Sequence, residues 1–264
     1  MYEFEHHKPA SVADAASAMK GADDGKLLAG GQTMIPTLKQ RLASPSDLVD
    51  LGGIAELKGI TVSGGTITIG AMTTHAAVAA SAEIKSALPA LAELADHIGD
   101  AQVRNRGTIG GSVANNDPAA DYPAACLALD ATIHTSQRDI AADDFFTGLF
   151  ETALEEDEII TKVSFPVASK AAYVKFPNPA SRYALVGVFV ADGPAGTRVA
   201  VTGAGQDGVF RVPEMESALS GSFSADAIAD VKVSADDLNA DIHASADYRA
   251  HLITVMAKRA VAKI

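Results

Sequence analysis

The spacing of apolar positions changes several times along the chain, and each change marks an element. Residues 11–21, SVADAASAMKG, keep helical spacing, with Ser11 and Asp14 as a cap and Gly21 as a stop. KLLAGG at 26–31 reads as a short buried strand entering a glycine turn. IPTLKQRLA at 35–43 reads as a helix, and DLVDL at 47–51 as a second strand. ITVSGGTITIG at 60–70 alternates on both sides of Gly64 and Gly65, the pattern of a hairpin.

Two helices are expected over 74–81 and 89–98, the latter from the apolar spacing of PALAELADHI. RNRGTIGGSVANNDPAADYPAACLAL at 104–129 reads as a polar, glycine-rich loop that leads into an apolar helix. ATIHTS and EIITKVSFP add strands, and Pro166 marks the expected domain boundary. Beyond it AAYVKF, ALVGVFVA, TRVAVTGA and GVFRV predict four strands, with helices in EMESALS and in the last twenty residues. The class is α+β, divided into 1–166 and a smaller 167–264.

Composition narrows the chemistry. The net charge of −12, with no cluster of Lys or Arg, argues against nucleic acid. No apolar run approaches the ~18 residues of a membrane span. The start MYEFEHHKPA lacks the basic and apolar stretches of a secretory signal, so a cytoplasmic location is expected. The single cysteine, Cys126, cannot build a disulfide, a zinc site or an iron–sulfur cluster. It reads as a small buried hydrophobe, and redox chemistry here would need an organic cofactor.

Two loops have the composition of a phosphate cradle. Ala29, Gly30, Gly31, Gln32 and Thr33 follow Leu28 at a strand end, with Lys26 as the nearest cation. Paired glycines let backbone N–H groups converge on an anion, and Thr33 adds a hydroxyl at a helix start. Thr108, Ile109, Gly110, Gly111 and Ser112 repeat the recipe, followed by Asn115 and Asp121. A third glycine run, Gly203, Gly205 and Gly208, satisfies GxGxxG after a strand. It precedes VFRVPE, however, and not the helix that a dinucleotide fingerprint must open, so it reads as a hairpin.

At this spacing the two loops resemble the FAD-binding medium subunit of molybdenum hydroxylases, the carbon monoxide dehydrogenase and xanthine dehydrogenase family. LLAGGQTMIPTLKQRLASPSDLVDL is similar to that family's first FAD loop, and QVRNRGTIGGSVANNDPAADYPAA to its second. IGAMTT, DEIITKVSFP and ADYRAHLITVMAKRA extend the resemblance over essentially the whole chain.

The resemblance implies a vanillyl-alcohol-oxidase (PCMH)-type FAD domain followed by a smaller α+β domain. It implies that residues 29–33 and 108–112 wrap the diphosphate and ribityl chain, with Lys26 beside the cofactor and Asp121 hydrogen-bonded to it. Ile159 and Ile160 would flank the flavin or adenine. YVKFPNPASRYALVGV would bring Lys175 and Tyr183 back to the flavin, although from composition alone Tyr183 reads as a core aromatic at a strand start. The family's first loop often ends in serine, and here Gln32-Thr33 keeps the hydroxyl. No histidine lies in that loop to tether a flavin, so non-covalent FAD is expected.

The implied partners are a large molybdenum-cofactor subunit and a small subunit with [2Fe-2S] clusters, with NAD or a quinone as acceptor. The implied function is electron transfer from those clusters through FAD, with no catalytic acid or base in this chain. Two alternatives stay open: a stand-alone flavin oxidase or dehydrogenase of the same fold, and a non-enzymatic nucleotide-binding protein.

Overall fold

A computed structural model describes every residue from 1 to 264. The first sheet is small and parallel, with Asp47–Asp50 between Glu5–His7 and Gly25–Leu28. Helix Val12–Gly21 supplies the crossover that parallel strands require. Its cap forms as the sequence suggests: Ser11 Oγ accepts from the Asp14 N–H at 3.1 Å and donates to the Asp14 carboxylate at 2.7 Å.

The second sheet is antiparallel, in the order Ile60–Ser63, Thr66–Gly70, Ile160–Pro166, Thr132–Thr135, Asp139–Ala141. Its first hairpin turns at Gly64 and Gly65, both at positive φ (59° and 75°), as a tight two-residue turn demands. Between the second and fourth strands of that row the chain makes a block of six short helices, from His75–Ala80 to Tyr122–Ala128.

Here the structure departs from the expected pattern. The alanine-rich stretch is broken into more pieces than its periodicity suggests, because hydroxyls and a carboxylate recur as caps. Thr74, Ser81, Asp100 and Thr108 each accept an N–H from the turn they open. The segment read as a polar loop is therefore largely helical, as Ala101–Arg106 and Ile109–Asn115. Gly110 and Gly111 are poor helix formers, yet a Cβ at Gly110 would stand 2.6 Å from the Ala71 Cβ. Close packing overrides propensity there. Glu5–His7 and Ala82–Ala87 were not anticipated; both are too short to show a period.

The third sheet is a meander of Lys170–Pro177, Ala184–Gly193, Gly196–Gly205 and Gly208–Arg211. The GxGxxG run is a hairpin, with Gly205 paired to Gly208. Val186, Val188 and Val190 face a core shared with helices Pro213–Gly221 and Ala246–Lys263. Phe189, Ala191 and Ala200 face the opposite core, shared with the helix block and the second sheet. Burial on both faces is why ALVGVFVA is apolar throughout and does not alternate. Arg249 pins the last helix by donating to the carbonyls of Leu185 and Gly203, at 2.6 and 2.9 Å.

Candidate functional site

A cleft of ≈ 420 Å³ opens where the first sheet, the helix block and the third sheet meet. Its size lies within the ordinary range for small-molecule sites, ~300–1,000 Å³. Ala29, Gly30, Gly31, Gln32 and Thr33 form one wall. The N–H groups of Gly30, Gly31, Gln32 and Thr33 donate to no acceptor within the chain. Gly31 sits at φ +77°, a left-handed turn between the strand and helix Met34–Lys39. Consecutive free N–H groups beside a left-handed residue are the kind of donor set from which anion-binding concavities are built. Lys26, paired to Asp24 at 2.8 Å, stands at its edge.

Thr108, Gly110, Gly111, Ser112 and Asn115 form the facing wall. Their backbone is arranged differently from that of the first loop. The N–H groups of Ile109, Gly110 and Ser112 are bonded to the carbonyls of Thr73, Ala71 and Thr108, and that of Gly111 to Thr108 Oγ1. This wall offers mainly side-chain hydroxyl and amide groups, while the run of four consecutive free N–H groups belongs to the first loop.

The paired glycines mainly let these walls touch. A Cβ on Gly30 would lie 2.1 Å from the Arg106 carbonyl oxygen, and one on Gly111 would lie 3.2 Å from the Ala29 Cβ. Thr202 and Gly203 hold the next segment, donating to the carbonyls of Pro118 and Ala120. The third glycine run therefore supports the site without lining it.

Asp121 and Lys175 line the deeper part of the cleft. Lys175 Nζ lies 3.0 Å from Asp121 Oδ1, and Tyr173 donates its hydroxyl to the same oxygen. Burial pushes the Asp121 carboxyl up, opposed by the Lys175 charge and the Tyr173 hydrogen bond. Tyr183 stands at the mouth, 51% exposed, which removes the core reading of this ring. Burial, then Asp117 and Asp121, push its hydroxyl up.

At the other end Ile159 and Ile160 line the cleft with Leu27, Leu51 and Leu154. Glu158, which also lines the cleft, fixes that segment. Burial alone would raise its carboxyl, but hydrogen bonds from Arg138, Thr135 and the Glu155 N–H hold it at about 2.

Of the residues singled out in the sequence, Leu28 and Ile109 do not line the cleft. Leu27 takes the first position, and Ile109 is fully buried in the core. His75 and Met72 line the cleft and were not singled out, and Asp117, one of the polar residues that follow the second loop, lines it too. His75 is buried, its Nδ1 has no partner, and its ring occupies the space that Gly107 leaves open. Burial, with help from Arg104, holds its imidazole at about 4. Its only sequence signal is a histidine at a helix start, and Gly107 lies too far along the chain to be paired with it by eye.

The family model described as "FAD binding domain in molybdopterin dehydrogenase" matches residues 2–168. The chain belongs to that family. FAD is its cofactor, and the chain is an oxidoreductase subunit. The nicotine 6-hydroxylase medium subunit of Paenarthrobacter nicotinovorans is 34% identical, over 98% of this chain and 96% of that protein. The carbon monoxide dehydrogenase medium chain of Hydrogenophaga pseudoflava is 35% identical over the same shares. A solved structure of reconstituted CO dehydrogenase from Oligotropha carboxidovorans superposes with a TM-score of 0.90 at 33% identity, covering 98% and 96% of the two chains. The α+β fold expected from the resemblance is the observed one, and this FAD-binding subunit has no helix long and apolar enough to cross a membrane.

Proposed function

We propose that the chain is the electron-relaying medium subunit of a molybdenum hydroxylase, holding one FAD non-covalently in the cleft. The observation that carries the assignment of the site is the set of unpaired N–H groups from Gly30 to Thr33. That donor set suits a diphosphate and needs no cationic cluster, consistent with an acidic protein. Thr108, Ser112 and Asn115 would add hydroxyl and amide contacts from the facing wall. Ile159 and Ile160 would pack on one end of the cofactor, and Tyr183 with the Lys175 and Asp121 pair would meet the other. No histidine stands in either loop, so nothing there tethers the flavin.

When bound, FAD supplies the ability to take up electrons singly and release them as a pair. This chain's residues bind it, orient it and exclude water. Of the carboxylates at the cleft Asp121 and Glu158 are ion-paired and Asp117 accepts the Ala119 N–H, while His75 is held neutral.

The proposed complex contains a large molybdenum-cofactor subunit and a small [2Fe-2S] subunit, and delivers electrons to NAD or a quinone in the cytoplasm. Residues 1–166 would form the FAD domain and 167–264 the second domain, with the Asp121–Lys175 pair joining them across the cleft. Isolation from the native host should yield a large and a small partner together with molybdenum and iron. A yellow chain that migrates alone and oxidises an organic substrate by itself would instead establish the stand-alone oxidase.

A further inference from the structure

Two ionisable side chains stand at the cleft with almost no water on them. Those of Lys175 and Asp121 are 4% and 5% exposed. Lys175 Nζ reaches both carboxylate oxygens, Oδ1 at 3.0 Å and Oδ2 at 3.1 Å, and donates also to the His97 carbonyl at 3.1 Å. Tyr173 donates to Oδ1 from its place over Gly187, where a Cβ would lie against the phenol oxygen. Every group touching the Asp121 carboxyl is a donor, so the anion is the form that satisfies them all. The lysine and tyrosine come from strand Lys170–Pro177, and the carboxylate from the start of helix Tyr122–Ala128. Asp117, His97 and the Tyr183 hydroxyl are the other titratable groups near the cluster.

A lone lysine at this place would present a whole positive charge to the contents of the cleft. Held on both oxygens of a carboxylate, it presents a dipole whose field dies away much faster. We propose that Asp121 is a positioning residue that cancels and immobilises the Lys175 charge, so that the reduction potential of bound flavin is set without a free cation beside it. The proposal rests on the reading that the cleft holds FAD. Reduction adds negative charge to a flavin, so an uncompensated ammonium would favour the reduced form. A unit charge roughly 10 Å away at an effective dielectric of ~20 shifts such an equilibrium about tenfold or more. For a two-electron couple that is about 30 mV.

The test is the midpoint potential of the FAD-loaded chain, titrated against redox dyes. Three proteins are compared: wild type, Asp121→Asn, and the double variant Asp121→Asn with Lys175→Met. Asparagine keeps the shape of the carboxylate and removes its charge. The potential should rise by about 30 mV or more in Asp121→Asn and return to the wild-type value in the double variant. A purely structural cluster would lower FAD affinity and melting temperature in these variants while leaving the potential where it was. An unchanged potential in Asp121→Asn overturns the proposal. So does a double variant about 30 mV below wild type, which would mean that Lys175 already acts as a free cation. If Asp121→Asn fails to hold FAD, Lys175→Met is compared with the double variant: with its charge no longer cancelled, Asp121 should place the single variant about 30 mV below the double variant, and equal potentials overturn the proposal. The double variant buries no charge, and replacing a whole buried ion pair is often neutral for stability. Wild-type chain that takes up no FAD defeats the proposed function instead, a separate outcome.

Discussion

Replacing Gly30 with alanine should strip the chain of its cofactor and cost about 2–3 kcal/mol of stability, as forced overpacking does. The new methyl would lie 2.1 Å from the Arg106 carbonyl oxygen, 2.8 Å from its carbon and 2.9 Å from the Gly107 Cα. All three are backbone atoms, so no side chain can swing aside to relieve the clash. The first loop must lift away from the end of helix Ala101–Arg106, and the two walls of the cleft then part. FAD retention after gel filtration and the denaturant midpoint of the apoprotein both report on this. Gly21→Ala is the control: no atom lies within 4 Å of its added Cβ. At that helix end the change should be neutral or stabilise by up to ~1 kcal/mol. If Gly30→Ala keeps both flavin and midpoint, the packing of the two loops is not what shapes the site.

Mild acid should destabilise the ligand-free chain through His75. Its ionisation lies at about 4 in the folded protein against 6.5 for an ordinary histidine, because burial and then Arg104 disfavour the imidazolium. The unfolded chain therefore takes up a proton below pH 6.5 that the folded chain refuses until about pH 4. The stabilising difference is complete above 6.5 and is lost as pH falls towards 4. It amounts to about 3 kcal/mol in full and about 1.4 kcal/mol between pH 7.5 and 5.5. That window keeps the protein above its isoelectric point of ≈ 4.9. Unfolding free energies at the two pH values, for wild type and His75→Leu, isolate the term. Wild type should lose about 1.4 kcal/mol more than the variant on acidification. Identical losses would show that the imidazole protonates freely in the fold.

The legible parts of this molecule were those whose signals are local. The hairpin at Gly64 and Gly65 and the cap at Ser11 are each written within a few residues of chain, and each formed as read. The GxGxxG run could be set aside from its own flanks, because a strand and a proline follow it instead of a helix. Where the reading failed, the deciding partner lay far along the chain. Residues 104–115 look like a loop until Ala71 is known to sit against Gly110, and His75 looks incidental until Gly107 is seen to make room for it. The glycines themselves carried a double meaning. Their pairing suggested close approach to a ligand, whereas Gly30 and Gly111 chiefly allow close approach of one loop to the other. The buried pairing of Lys175 with Asp121 joins residues 54 positions apart, and no spacing rule reaches that far.

The most direct measurement is the cofactor content of the purified chain. The protein should be yellow, carry one FAD per chain, and release it intact to the supernatant on acid or heat precipitation, leaving a colourless pellet. A colourless preparation that takes up no added FAD, or a flavin that stays with the precipitated protein, would contradict a non-covalent FAD held between these two loops.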